Sequence, residues 1–360
     1  MRLTESEPTR TSQEADVRGA EALADAGRPA TVHAFQWARA LGALAIVVLH
    51  VFVTVHHACD HAALGAVRMT VENALAIALS RWAVPVFFMM SGALMLDPRR
   101  ALPWDKVWRH VWRMLFVLLT FGLAFCVIEV ALDYGTLTPR VVQIAFVNLL
   151  RGKSWDHLWF VYAMAGFYLL TPVLRPFVAQ SSERELLLVV IAMVALLQGV
   201  NTLGMLMDTP LWMPLGLPVN LMWYVLGYYA HTYLSLDRRF MAAGLASLAL
   251  MLGVRVAFDL SWVGLPEYLP IVPYALMVFL AFEAWLEIPT DRYPLIGLLS
   301  DYSFGIYLVH PVWQHVLVLL FDPARYPAVV VDVGLLIVST ALSIATIWIL
   351  RLLPPFRDKV

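Results

Sequence analysis

After about thirty polar positions the chain turns into a succession of long apolar runs separated by short polar breaks. The runs lie near residues 35–55, 71–96, 112–132, 158–178, 186–206, 218–234, 240–259, 269–286, 297–320 and 329–351. Most approach the length of about 20 apolar residues that one helix needs to cross a bilayer core. The pattern predicts an all-α polytopic membrane protein of about ten transmembrane helices. Arg255, Asp259 and Glu283 interrupt the seventh to ninth stretches.

Composition supports that class: 61% of the 360 residues are hydrophobic and only 14% are charged. A soluble domain is nearer 45–50% apolar and about 25% charged. The first 33 residues are rich in charge, Ala, Ser and Thr, and predict a disordered tail. Residues 34–353 then form one membrane domain, with 354–360 as a second tail. Lys and Arg orient it. With the N-terminus inside, seventeen of them fall in inner segments and five in outer loops, which places both termini in the cytoplasm. A net charge of −1 gives no basis for nucleic-acid binding. Cys59 and Cys126 are too few for a disulfide framework and predict no cofactor.

Ionisable groups inside spans usually carry function. In RALGALAIVVLH, Arg39 and His50 flank a run with no polar side chain. Eleven residues at 100° each bring the second side chain about 20° past three turns, so both leave one helix face, about 16 Å apart. A snorkelling anchor and a hydrogen-bonded interior histidine would explain them separately. Together they suit an elongated anionic ligand bound at the inner end, its reactive end presented to an acid–base group. A phosphopantetheine arm has that reach.

Other spans add candidates. Arg81 precedes Pro85, which loosens its helix, and the small pair Ser91–Gly92 permits close approach; an ion-paired arginine in a kinked packing helix is the alternative. Ser303, Tyr307 and His310 share one helical stripe, and Pro311 biases His310 out of regular helix. KSWDHLWFVY carries Asp156, His157 and Trp159, as an interfacial aromatic belt or a sugar-stacking platform. The outer HHACDH stretch (His56, His57, Asp60 and His61) lacks fixed zinc spacing, and no metal is expected.

Arg-X10-His, VPVFFMMSGALML, HLWFVYAMAGFYLLTPVL, MWYVLGYY and YSFGIYLVHP occur in the order found in the acyltransferase family three membrane proteins, which the chain resembles from residue 35 to about 320. The resemblance implies transfer of an acyl group, usually acetyl from acetyl-CoA, to hydroxyls of cell-envelope carbohydrates at a bacterial plasma membrane. Acyl-CoA would be the co-substrate, with no resident cofactor; a surface glycan or lipid-linked sugar and membrane lipids would be the partners. It implies a catalytic His50 and Arg39 in the donor site, and Arg81 matches an arginine the family often carries there. The chemistry then suggests His50 as general base, or as the carrier of an acyl-histidine intermediate, with Arg81 or Tyr307 as oxyanion donors and Ser91, Gly92 and Arg99 at the donor. Asp156, His157, Trp159 and His310 remain for the acceptor. Many members carry an aspartate three residues before the arginine; here Gln36 stands there. A transporter or flippase for an anionic lipid-linked glycan is the rival function, and predicts a midplane site on broken helices.

Overall fold

A computed structural model describes residues 33–59, 64–207, 220–258 and 269–360. Residues 1–32, together with Asp60, His61 and Asp259, lie outside the described residues. Within them the chain is all helical. The helices are α1 (His33–Ala58), α2 (Val67–Met95), α3 (Trp104–Tyr134), α4 (Pro139–Leu150), α5 (Asp156–Gln180), α6 (Glu183–Gly204), α7 (Leu221–Tyr233), α8 (Arg238–Phe258), α9 (Ile271–Trp285), α10 (Pro294–Leu320) and α11 (Ala328–Arg351). Within the described residues all ten expected runs fall on helices. Seven of these (α1, α2, α3, α5, α6, α10 and α11) are long and apolar enough to cross a membrane. The sixth to eighth runs form α7, α8 and α9, of 13, 21 and 15 residues.

Local chemistry explains the boundaries. α3 ends at Gly135, whose φ of 67° is a left-handed conformation that suits glycine. α4, which the apolar runs did not predict, starts at Pro139 behind Thr138, whose hydroxyl accepts the Val141 N–H. Ser182 and Glu185 form a capping box at the start of α6. α2 turns at Arg81 and Trp82, where Pro85 removes the N–H that the Arg81 carbonyl would have accepted.

α10 does not bend out of helix at His310, contrary to expectation. It runs unbroken through Pro311. A membrane helix tolerates the missing bond when its neighbours pack closely, and α10 packs along α1 and α11. The carbonyl left without its N–H is that of Tyr307; His310 Nδ1 lies 2.8 Å from the adjacent Ile306 carbonyl.

α1 and α10 form the most extensive pair and run parallel. A second close crossing joins α2 to α7. A Cβ on Gly92 would sit 1.7 Å from the Tyr224 carbonyl oxygen, and one on Gly227 would sit 2.1 Å from that of Met89. Gly92, expected at the donor, is therefore a backbone-to-backbone contact between helices.

The segment after Arg351, expected as a tail, folds back on α3. Phe356 packs edge-on against Phe116 and Phe121, and the carbonyls of Lys359 and Val360 accept from Arg113 and Arg351 at 2.8 Å each. Gly92→Ala and Gly227→Ala are each expected to cost about 1–3 kcal/mol or more by overpacking, read as a lower thermal midpoint of detergent-purified protein. Gly166→Ala is the control: a Cβ there meets nothing within 4 Å, and the midpoint should hold or rise.

Candidate active site

The start of α1 is tied down by residues far along the chain. The N–H groups of His33 and Ala34 donate to the Glu287 carboxylate at 3.0 and 3.1 Å. Trp37 Nε1 donates to the Ile288 carbonyl, and Gln36 accepts from the Thr290 hydroxyl at 2.8 Å. Gln36, where an acidic residue was looked for, thus anchors the helix that carries Arg39.

Arg39 opens onto a cavity of about 400 Å³. Small-molecule sites commonly fall in the range of about 300–1,000 Å³. The cavity is enclosed by α1, α2, α3, α5 and α10, with Ser91, His110, Arg113, Tyr168, Asp301 and Tyr307 among its polar walls. Among the described residues no hydrogen bond or ion pair holds the Arg39 guanidinium, although the side chain is exposed to this space. Arg113 faces the same space from over the Phe304 ring, at 4.7 Å. His110 lies tilted beside Tyr168, at 5.0 Å. The cavity wall runs as far as Ile46 and Tyr307; His50 is one helical turn beyond Ile46.

His50 belongs to a histidine cluster. Its Nδ1 lies 2.7 Å from His310 Nε2, with the rings stacked at 4.9 Å. His157 stands edge-on to both, at 6.1 and 6.0 Å. The Tyr307 hydroxyl donates to the His157 backbone carbonyl, and its ring faces Phe160 at 5.6 Å, so this pair separates cluster from cavity. Further along α10, exposed His315 lies beside Trp155 at 5.5 Å.

Burial divides the cluster. His310 is fully buried and His157 nearly so, whereas His50 is half-buried. Of the three, the imidazole on α1 is the one with an accessible edge. The arrangement pairs a cation facing an open cavity with a hydrogen-bonded base, on one helix face.

A family model for the acyltransferase domain matches residues 32–350. The chain belongs to acyltransferase family three. With its apolar helices, it is a multi-pass membrane acyltransferase. No match was found to a curated protein or to a solved structure.

Of the residues expected at the site of this family-three acyltransferase, the fold gathers six. Arg39 and Ser91 line the cavity, His50, His157 and His310 form the cluster, and Tyr307 borders both. Others lie elsewhere. Arg99 is 71% exposed and bonded to Asp97 at 2.9 Å, off the cavity wall. Asp156 is exposed, and Trp159, 44% exposed, contacts Phe88 and Phe160. His310, expected at the acceptor, is spent on His50. Glu283 pairs with His231 at 2.5 Å, joining α9 to α7.

His110, Arg113, Tyr168 and Asp301 were missed, as was His315. The apolar window for the third run begins at residue 112, yet its helix starts at Trp104. Those first turns are amphipathic: Trp104, Trp108 and Trp112 face outward while Val107, Val111 and Met114 are buried. A helical period, rather than an apolar average, would have put His110 beside the buried Val107 and Met114, whereas Arg113 lies about 100° from Met114 and gives no such signal.

Burial alone would raise the Asp97 carboxyl, but hydrogen bonds from Arg99 and the charge of Arg100 hold it below its ordinary value. Its contribution to stability is present above the unfolded carboxylate value of about 4 and is lost as pH falls through the lower folded value. Asp97→Asn should therefore lower the thermal midpoint at about pH 7, and the gap should narrow as the pH falls below about 4.

Proposed function

We propose that the protein moves an acyl group, acetyl in the simplest case, from cytoplasmic acyl-CoA to a hydroxyl of a cell-envelope carbohydrate. The observation that carries this reading is the pairing, along one face of α1, of an unpartnered guanidinium in a cavity with an imidazole in a polar cluster. The cavity suits a pantetheine arm. Arg39 and Arg113 supply positive charge for CoA phosphates at its mouth, with His110 and Tyr168 beside them.

The thioester then lies toward Ile46 and Tyr307, and reaches His50 once the Tyr307–Phe160 pair yields. The acceptor hydroxyl arrives from the Trp155–His315 side. Its oxygen attacks the thioester carbonyl while His50 takes the hydroxyl proton; the C–S bond breaks, and the proton passes to the leaving thiolate. In this reading Arg81 balances the negative charge that develops on the carbonyl oxygen. Tyr307 is less suited to that role, because its hydroxyl proton is given to the His157 carbonyl.

The reading is tested with membranes that retain the native acceptor, supplied with acetyl-CoA labelled in the acetyl group. His50→Ala should lower incorporation by about 10²–10⁴-fold, the range for removal of a general base, at unchanged protein level and thermal midpoint. Arg39→Ala should raise the donor KM more than it lowers kcat. A fully active His50→Ala variant would sink the assignment, and movement of acceptor across the membrane without acylation would favour the transporter.

A further inference from the structure

His50 can act as a base only through a ring nitrogen that carries no proton, and its neighbours decide which nitrogen that is. The deciding group is the backbone carbonyl of Ile306, which can accept a hydrogen bond but never donate one. His310 Nδ1 lies 2.8 Å from it and so holds a proton. In the neutral ring Nε2 is then bare. His50 Nδ1, 2.7 Å from that Nε2, must in turn be the donor. Carbonyl, His310 and His50 form one directed chain, and it ends on a bare Nε2 of His50.

We propose that His310 is a positioning residue for acyl transfer: it holds His50 in the Nδ1–H tautomer and so keeps Nε2 free for the acceptor hydroxyl. This role rests on the reading of His50 as the general base. Without the Ile306 carbonyl, His310 would be free to turn its proton toward His50, and the bare nitrogen would then face the wrong way. Tautomer selection by the partner of the other ring nitrogen is the usual way a histidine is set for catalysis.

The packing makes the setting rigid. His310 is fully buried. One turn on, Gln314 donates to the Val47 carbonyl at 3.1 Å and accepts from the Thr54 hydroxyl at 3.4 Å, clamping α10 to α1 on either side of His50. During the reaction the hydroxyl proton moves to His50 Nε2 as the new C–O bond forms and the C–S bond breaks, then passes to the thiolate. His310 keeps its own proton throughout. The hydrogen bond from His50 to His310 becomes charge-assisted when His50 is an imidazolium, so it strengthens at the transition state.

The test uses detergent-purified protein labelled with [15N]histidine, the His50 signals being assigned by their loss in His50→Gln. Wild type should show His50 protonated at Nδ1; protonation at Nε2 would overturn the proposal without any variant. His310→Gln offers an amide oxygen to the His50 N–H, whereas His310→Leu offers nothing. With acetyl-CoA and membranes holding the native acceptor, free CoA release should fall about a hundredfold in kcat for His310→Leu. Donor KM should stay unchanged, and His310→Gln should recover most of the loss.

Wild-type kcat or a retained Nδ1–H tautomer in His310→Leu would overturn the role of His310. So would a glutamine variant as impaired as the leucine one at equal thermal midpoint. Absence of His50-dependent turnover in wild type is a different outcome. It removes the base reading itself, while the tautomer measurement still reports on the His310 contact.

Discussion

Inside a bilayer a polar side chain has no water to fall back on, so its partner must come from another part of the fold. His310 and Gln314 meet that constraint together. Both are fully buried on α10, and α1 supplies partners for each: His50 for the first, Val47 and Thr54 for the second. The His50–His310 and Thr54–Gln314 pairs keep the same offset of 260 residues, the signature of two parallel helices locked at one register. Sliding α10 by a single turn would leave these groups unpaired in hydrocarbon. The seam therefore decides where every other residue of α10 lies relative to α1, and places Ser303 and Tyr307 on the cavity that Arg39 faces.

Pro311 contributes to the same seam. A proline inside a helix leaves a carbonyl one turn back without its N–H, and imidazoles are bonded to several carbonyls on either side of it. His310, His157 and His315 lie within hydrogen-bonding distance of the Ile306, Leu308 and Pro311 carbonyls. Histidines that a sequence reader would assign separately to base and acceptor are thus organised by one stretch of α10 backbone. Among the described residues no carboxylate partners His50. A neutral imidazole takes that place, and it can select a tautomer without introducing a second charge to be buried.

The cavity has a different logic. Apart from Ser91 and Tyr168 its walls are apolar on α2 and α5, and its charges come from Arg39 and Arg113, with Asp301 the acidic wall residue. The Arg351 guanidinium is held apart, over the Tyr302 ring at 4.2 Å and on the carbonyls of Asp301 and Val360. The C-terminal turns tie α3, α10 and α11 together on this side. The Gly92–Gly227 crossing lets α2 approach α7 closely, and so sets the wall that carries Ser91 and Met95.

The sequence by itself determined the all-helical membrane class, the position of each long apolar helix, and the common face of Arg39 and His50. These depend on hydropathy and on the helical period, both properties of contiguous residues. Ser303, Tyr307 and His310 were legible as one stripe for the same reason. What only the tertiary structure decided is which stripe meets which. Gly92 turned out to be a helix contact, Arg99 a partner of Asp97, and His310 the partner of His50, because those outcomes depend on atoms more than a hundred residues away or on a turn the chain makes in space. Arg113 was hidden by an amphipathic helix start whose average looks polar. Spacing along one helix can align a charge with an imidazole, but only a second helix, at a fixed register, can determine where that imidazole carries its proton.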